Sequence, residues 1–572
     1  MRYLVFLILV LPAGAQPALP TEVRNGVPRP FILHAETLEL VTDERPADRG
    51  ERLLVWTEGM AGEVSVLIGA RTIAGLLRDD GFVEFDMPED AGGAFVEISL
   101  ESDGLRSNAA TFPTREAETA AQLTAAEVRT LLNSAAMAID DPRLVVAVVD
   151  RAGRPLGVHA RAGASTDDIE TALSLARTGA FFSHNEAPLS SRTVRSISTV
   201  NFPEGIPNQP SAALYGIENT NRGCDYNSTF LAGKLVPRST NLSGDGPGIG
   251  ITTRAGGFPV YRGDDMIGGI GVGGLPPNVA EFAGFSAVAG NGFFKATIPP
   301  PRAVFIDGFR LPLVEQTAQP EGTRPASSPG GADLVAPRAG NAAPDEWIIG
   351  PRASADLTEA EVRGIVERAV ERAIRTRAVI RLPLGTRAKF VYSVTDLQGN
   401  ILALYRQPDA TIFSIDVAIT KARNVVYFSS ENTAAPDRLP GVPPGTAVTN
   451  RTIGFTSQPF FPSGIFNSDP GPFFQLYQFD VLNPCTQGRQ PRNPNQSGIV
   501  FFPGSAPLYK GGRMVGGFGV SGDGVEQDDY VTAGGAVGFE PPPDRRADAF
   551  FVDTRLGRVR LPYWKFPRNP EQ

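Results

Sequence analysis

The chain has 572 residues, of which 42% are hydrophobic and 20% are charged, and its formal net charge is −9. This length allows about three or four domains of ordinary size. The acidic balance, with three histidines and no dense cluster of lysine and arginine, argues against a nucleic-acid partner.

The amino terminus predicts export. Residues 1–15 contain one basic residue, a short apolar run and the small residues Ala13, Gly14 and Ala15, a pattern typical of a cleaved secretory signal. The apolar run is too short to span a membrane, and no later segment reaches about 18 apolar residues. We therefore expect an exported protein, periplasmic or extracellular, with no membrane span.

Residues 17–115 are predicted to form an all-β module. Four short β-type runs, at residues 52–56, 64–68, 82–86 and 94–100, are separated by glycine or proline turns, with no convincing helix between them. This spacing is typical of an immunoglobulin-like sandwich. We expect such a module to act as a spacer without catalytic groups.

The rest of the chain contains two copies of one domain. The segment at residues 145–164 is repeated at 389–410, and the segment at 256–274 is repeated at 504–522. A repeat this long indicates a duplicated domain, because solenoid units span only about 20–50 residues. The sequence therefore predicts a first copy at 118–314 and a second copy at 351–572. Residues 315–350, rich in proline, glycine and alanine, are predicted to be a flexible linker.

Each copy is predicted to have the same element order. A Thr-x-x-Glu capping box opens a helix, a hairpin turns at an Asp-x-x-Gly sequence, and a second helix spans 167–182 or 415–428. A long excursion rich in proline, asparagine and phenylalanine follows, and two strands close the copy. The glycine-rich closing strands favour close backbone approach over nucleotide binding, because no helix opens at the required spacing.

The two cysteines, Cys224 and Cys485, occupy similar places in the two copies. In an oxidising compartment, a disulfide between them would join the copies. The alternative is two free thiols in separate loops.

The motifs taken in order, in both copies, resemble the GlcG/HbpS-like heme-binding family. They are the hairpin, the second helix with its Ala-Arg pair, and the glycine-rich closing strands. The resemblance implies an α+β fold, with two fused α/β sandwich domains, each an antiparallel sheet flanked by helices. It also implies binding of heme or a corrinoid, and two fused copies could stand in for the family's dimer.

The copies differ at the polar positions of this pattern. The family's lysine in the second helix is kept as Lys421, where the first copy has Leu175, and the family's Gln-Asp pair ends in Asp528, where the first copy has Ala280. This divergence indicates either one lost site or two specialised sites.

The resemblance directs attention to ligands for heme, which needs an iron ligand and cations for its propionates. His184, just past an aromatic helix end, is the candidate iron ligand; the alternative is a histidine that interacts with the last helix carbonyls. The candidate propionate-binding cations are Arg161, Arg177, Arg406, Lys421 and Arg423. Each arginine could equally bridge groups within its own domain.

These observations predict an exported binding protein for heme, a related tetrapyrrole or another small apolar ligand, with a possible protein partner or homo-oligomeric state. No catalytic mechanism can be inferred, because the chain has no nucleophile elbow and no zinc-binding spacing. The alternative is a structural or interaction protein whose duplicated fold has lost its ligand.

Overall fold

A computed structural model describes most of the chain: residues 31–41, 47–48, 50–57, 59–68, 71–88, 95–107, 109–113, 122–224, 250–311 and 313–571. The predicted signal at residues 1–15 lies outside these ranges. Within them, every helix is too short or too polar to cross a membrane. The chain divides into two compact units, Met1–Glu118 and Thr119–Gln572.

The first unit is rich in β-structure. Its described strands pair in the antiparallel order β1-β2-β5-β4-β3-β6-β7, with β8 also paired to β6. The strands are β1 Phe31–His34, β2 Arg52–Trp56, β3 Val64–Ile68, β4 Arg71–Leu77, β5 Val83–Asp86, β6 Phe95–Ser102, β7 Leu105–Arg106 and β8 Ala110–Pro113. The four runs predicted from the sequence are all present as strands, and their apolar side chains form one core.

In the second unit, the first copy alternates helices with paired strands. Its elements are α1 Ala125–Ala138, β9 Val145–Asp150, β10 Pro155–Ala160, α2 Thr166–Phe182, α3 Ser191–Ser196, β11 Gly257–Arg262, β12 Asp265–Gly273, α4 Pro277–Gly290, β13 Phe305–Ile306, β14 Phe309–Arg310 and β15 Ala332–Val335. A short 3-10 turn also occurs at Ile217–Asn219.

The second copy repeats the order of the helices and hairpins, but its edge strand comes first and its described part has one further helix. Its elements are β16 Glu346–Ile349, α5 Glu359–Ala373, β17 Phe390–Thr395, β18 Ile401–Arg406, α6 Ser414–Phe428, α7 Asn450–Thr456, α8 Phe474–Leu482, β19 Ser505–Lys510, β20 Arg513–Gly522, α9 Val525–Gly535, β21 Phe551–Thr554 and β22 Gly557–Arg560. Further 3-10 turns occur at Ala435–Asp437, Pro543–Arg545 and Ala547–Ala549.

The two copies have the same five-stranded antiparallel sheet. The strand order is β11-β12-β9-β10-β15 in the first copy and β19-β20-β17-β18-β16 in the second. In each sheet the closing hairpin lies beside the first strand of the opening hairpin. The duplication read from the sequence is therefore a duplication of topology.

Local signals in the sequence explain where the first helices begin. The hydroxyl of Thr124 accepts from the backbone N–H of Glu127 (3.2 Å), and the carboxylate of Glu127 accepts from the N–H of Thr124 (2.8 Å). Thr358 and Glu361 make the same pair of bonds at the same distances. Both predicted capping boxes are confirmed.

The glycines of β12 and β20 let a helix lie directly on the sheet. A Cβ added at Gly269 would collide with the carbonyl oxygen of Ala176 in α2, and one added at Gly517 would collide with that of Ala422 in α6. Only glycine permits this approach of helix to strand. The prediction of close backbone packing is confirmed in both copies.

The two copies share one hydrophobic core, which includes residues from both second helices. The ring of Phe182, at the end of α2, stacks on Phe413 with 4.2 Å between ring centroids. Cys224 and Cys485 form the disulfide predicted from the sequence, with Cα atoms 5.3 Å apart. The copies are therefore joined by packing and by a covalent bond.

The segment expected to be a flexible linker contributes a strand to each sheet. Strand β15 pairs with β10 of the first copy, and β16 pairs with β18 of the second. The edges of β10 and β18 offer unpaired backbone groups, which an extended segment of almost any composition can pair. Composition alone therefore did not reveal these strands.

Candidate functional site

His184 lies at the seam between the two copies, and its side chain is fully buried. Its Nδ1 accepts from the N–H of Ala187 (3.2 Å) and lies 3.2 Å from the carboxylate of Glu186, while its Nε2 has no hydrogen-bond partner. Burial lowers the pKa of His184, and the nearby Arg381 lowers it further against the opposing effect of Glu186. The imidazole is therefore neutral near pH 7.

A charged cluster surrounds this histidine. His184, Glu186 and Asp409 offer ligand atoms within 4.8 Å of one another, as a metal site would. However, the buried Arg381 contacts Glu186 and lies 2.9 Å from Asp409, and Lys389 lies 3.5 Å from Glu186. Because these cations already compensate the carboxylates, the cluster is best described as an ion-pair bridge between the copies.

Arg381 holds this bridge together. It is fully buried and also contacts the buried Asp523. Burial acts to lower the pKa of Arg381, but Asp523, Glu186 and Asp409 together raise it above its ordinary value. The guanidinium therefore stays charged in the interior. Arg381 was not predicted from the sequence, because it lies in a segment that has no clear counterpart in the first copy.

Two of the predicted propionate-binding arginines support hairpins. The Nε of Arg177 donates to the carbonyl of Gly153 (3.1 Å), and the Nε of Arg423 donates to that of Gly399 (3.0 Å). Both glycines occupy the left-handed region, at φ values of 83° and 78°. Burial lowers the pKa of Arg177 to about 10. The geometry favours the structural role for both arginines.

Arg161 and Arg406 also bond within the fold. Arg161 donates to the carbonyl of Ala136 (2.8 Å), and Arg406 donates to the carbonyl of Ala410 (3.0 Å) and contacts Asp345. The structure does not bring these arginines together with His184 around a common cavity.

Lys421, the remaining predicted cation, forms a fully buried ion pair. Its Nζ lies 2.8 Å from the carboxylate of Asp528, donates to the carbonyl of Val520 and lies 5.1 Å from the ring centre of Phe502. Burial lowers the pKa of Lys421 and raises the pKa of Asp528 to about 7, and in each case the partner charge opposes the shift. This pair fills the space beside α6.

The first copy has apolar side chains at the same place. A Cβ added at Gly256 would lie 2.9 Å from Ala280 and 3.4 Å from Leu175, whereas one added at the equivalent Gly504 would lie 2.7 Å from Lys421. The equivalence predicted from the sequence therefore holds in space. The buried ion pair of one copy is replaced by two apolar residues in the other.

A cavity of about 540 Å³ opens beside α2 in the first copy. Its apolar wall includes Leu175, Val272 and Pro276. Its charged lining residues are Arg143, Asp168, Arg192, Arg195, Glu204 and Arg254. The cavity therefore combines an apolar wall with a rim of four guanidinium groups.

Three of these arginines already have carboxylate partners. The ion pairs are Arg143 with Asp168 (2.7 Å), Arg192 with Glu281 (2.6 Å) and Arg195 with Glu204 (2.9 Å). Arg254 is exposed and makes no ion pair within the described part of the chain. It is the guanidinium of this rim most available to a ligand.

The second copy has no arginine at this place. Residues 250–261 align with 498–509 without a gap, so Arg254 corresponds to Phe502. Phe502 is 1% exposed and lies over Lys421. Phe502 is therefore buried where Arg254 is exposed, and the ion pair stands where the first copy has Leu175 and Ala280. Arg254 was not predicted as a site residue, although this ungapped alignment of the two copies shows the difference.

Comparison with known proteins places both copies in one family. The family model described as "Haem degrading protein HbpS-like" matches residues 117–281 and 357–536. These matches cover more than half of the chain, which therefore belongs to the HbpS-like family. No curated protein matches the chain.

Two solved structures are similar to part of the chain. One is a crystal structure of a PduOC–heme complex, at 21% identity and a TM-score of 0.21, covering 32% of this chain and 94% of that one. The other is Klebsiella pneumoniae protein ORFY, at 21% identity and a TM-score of 0.21, covering 32% of this chain and 88% of that one.

Proposed function

We propose that the protein binds heme or a related tetrapyrrole in the cavity of the first copy. The observation that carries this proposal is the cavity itself, which combines an apolar wall at Leu175 with Arg254, a cation that has no ion-pair partner among the described residues. Its volume of about 540 Å³ falls within the usual range for small-molecule pockets. Membership of the HbpS-like family in both copies supports the class of ligand.

The lining residues fit the ring and the carboxylates of a tetrapyrrole better than its metal. Among the described residues of this cavity there is no histidine, methionine, cysteine or tyrosine, the usual axial ligands of heme iron. His184 does not line this cavity. We therefore infer that the affinity comes from the carboxylates of the ligand, which contact arginine, and from apolar contact with its ring. The metal-free ring should then bind about as well as heme.

A titration of the full-length protein tests this proposal. Hemin and protoporphyrin IX are added separately, and binding is followed by the shift of the Soret band. Arg254→Phe introduces the residue of the second copy and should weaken binding of both ligands by about tenfold or more, because it removes the free guanidinium and fills the cavity mouth. The matched control is Arg492→Phe, at another exposed arginine that lines neither cavity.

Two results would overturn the proposal. Equal affinities in the wild type, Arg254→Phe and Arg492→Phe would show that the ligand binds outside this cavity. Binding of hemin without binding of protoporphyrin IX would show that an iron ligand is essential and would return attention to His184.

In this proposal, the second copy is a structural domain that has lost its ligand. Lys421, Asp528 and Phe502 close its equivalent position. The internal bonds of Arg161, Arg177, Arg406 and Arg423 support the fold of both copies. We therefore propose one binding copy and one structural copy.

We further propose that the protein is exported and that its amino-terminal unit is an immunoglobulin-like spacer. The signal-like pattern of residues 1–15 and the disulfide support export, because disulfides persist in oxidising compartments. The antiparallel strands of the first unit support the spacer. Mass spectrometry of the protein recovered from its native host should find a mature chain that begins at Gln16; an intact Met1 would contradict cleavage.

A further inference from the structure

A second and larger cavity lies where the two copies meet. Its volume is about 910 Å³, and its walls include Tyr215 and Arg222 from the first copy and Tyr477, Val481 and Pro484 from the second. The two tyrosine rings stack on each other with their centroids 5.0 Å apart. Neither copy alone forms this cavity.

Arg222 is the distinctive group in the wall. Its side chain lines the cavity although the residue is only 8% exposed. One nitrogen donates to the backbone carbonyl of Asp480 (3.0 Å), and no carboxylate in the described part of the chain lies within ion-pair distance of the guanidinium. Burial lowers the pKa of Arg222, and the nearby carboxylate of Asp480 offsets this effect only in part. A buried cation that is only partly compensated favours an anion from solution.

The other charges of the cavity are already engaged. Arg195 pairs with Glu204 (2.9 Å). The carboxylate of Glu218 accepts hydrogen bonds from Thr252 (3.1 Å) and from the backbone N–H of Thr253 (2.7 Å). Arg222 is therefore the cation that a ligand can reach without breaking an existing ion pair.

The disulfide fixes this arginine in place. Cys224 lies two residues after Arg222, and Cys485 directly follows Pro484 in the opposite wall. The covalent bond therefore joins the two walls next to the guanidinium. A binding group held in position before the ligand arrives loses less entropy on binding.

We propose that this seam cavity binds a small organic carboxylate, with Arg222 as its anchor and the rings of Tyr215 and Tyr477 against the uncharged part of the ligand. A carboxylate matches the planar, bidentate geometry of a guanidinium. The walls also contain Glu170 and Glu218, which would repel the higher charge of a phosphate. The site adjoins the tetrapyrrole cavity, with which it shares Arg195, but Arg254 does not line it.

Calorimetric titration of the full-length protein with benzoate tests the proposal, with inorganic phosphate as the comparison anion. Benzoate should bind with millimolar or better affinity and phosphate at least tenfold more weakly. Arg222→Gln should weaken benzoate binding at least tenfold, whereas the control Arg492→Gln should leave it unchanged.

A second pair of variants avoids any change in the interior. Val481 lies in the wall of the cavity but is 43% exposed. Val481→Glu should weaken benzoate binding and Val481→Lys should strengthen it, each by about threefold, through charge alone. No benzoate binding to the wild type, or equal binding by all four variants, would overturn the proposal. Loss of benzoate binding in Arg254→Phe would show that the two cavities are one site.

Discussion

The two copies keep the same strand order and the same main helices, and the difference that bears on the candidate site lies beside the second helix. In the second copy, Lys421 and Asp528 form a buried ion pair under Phe502. In the first copy, Leu175 stands in the place of the lysine and faces a cavity with Arg254 at its rim. The comparison indicates that the second copy kept the ion pair, whereas the first copy replaced it with apolar residues beside a cavity.

The copies differ at both members of the ion pair, and the cost of burying a single unpaired charge explains why. Leaving a buried charge without its partner is strongly destabilising, whereas replacing both charges with apolar groups is often neutral. Leu175 and Ala280 are such a replacement. The apolar wall of the cavity therefore follows from the loss of the pair as a unit.

The largest expected effect comes from splitting the ion pair of the second copy. Lys421→Leu leaves Asp528 without its partner and should lower the free energy of unfolding by about 3 kcal/mol or more. The double variant Lys421→Leu with Asp528→Ala reproduces the residues of the first copy and should recover most of this loss. Urea unfolding of the two variants measures the difference.

The pH dependence of the single variant provides its control. Burial raises the pKa of Asp528 above its value in an unfolded chain, so the folded state holds the proton more tightly. Without Lys421, stability should fall as pH rises from about 4 through 7, and the double variant should lack this slope. Equal losses in the single and double variants at pH 8 would contradict the account.

The disulfide should give the next largest effect. Replacing both Cys224 and Cys485 with serine should lower stability by about 2–4 kcal/mol, because the bond closes a long loop between the copies. The single replacement Cys224→Ser should cost a similar amount, since either change removes the bond. Unfolding midpoints equal to that of the wild type would show that packing alone holds the copies together.

Much of the fold could be predicted because its signals are local and occur twice. The capping boxes at Thr124 and Thr358 and the hairpin glycines Gly153 and Gly399 act within a few residues of chain. The disulfide was also predictable, from the matching places of the two cysteines. Repetition separated these signals from chance similarity.

The candidate site was harder to predict, because the sequence does not show whether a polar side chain bonds within the fold or faces a cavity. The recurrent arginines Arg177 and Arg423 drew attention, yet they are bonded to hairpin carbonyls. Arg254 and Arg222 do not recur, and their availability follows from the walls around them. The edge strand β15 was equally hidden, because its pairing depends on the exposed edge of β10.

His184 allows a sharper comparison between a ligand and a structural residue. His184→Ala should lower stability by about 1–3 kcal/mol, because it opens a void beside the Glu186 and Arg381 bridge. Affinity for protoporphyrin IX should not change. A loss of hemin affinity alone, with protoporphyrin IX binding intact, would restore His184 as an iron ligand.

An effect of similar size concerns Asp480 behind the seam cavity. Burial raises the pKa of Asp480 to about 7, with Arg222, the backbone N–H of Ile499 and Asn219 opposing the shift. Since this pKa exceeds that of the unfolded chain, ionisation costs stability as pH rises from about 4 through 7. Asp480→Asn should therefore gain about 2–3 kcal/mol relative to the wild type between pH 5 and pH 8. Thermal unfolding of both proteins at pH 5 and pH 8 measures this gain. The same difference in Tm between Asp480→Asn and the wild type at both pH values would contradict a raised pKa of Asp480.

The number of tetrapyrroles bound per chain tests the contrast between the copies most directly. Native mass spectrometry of the full-length protein with excess protoporphyrin IX should find one ligand per chain, and Arg254→Phe should reduce this to none. Two ligands per chain, or one ligand that persists in Arg254→Phe, would contradict the assignment of an open first copy and a closed second copy.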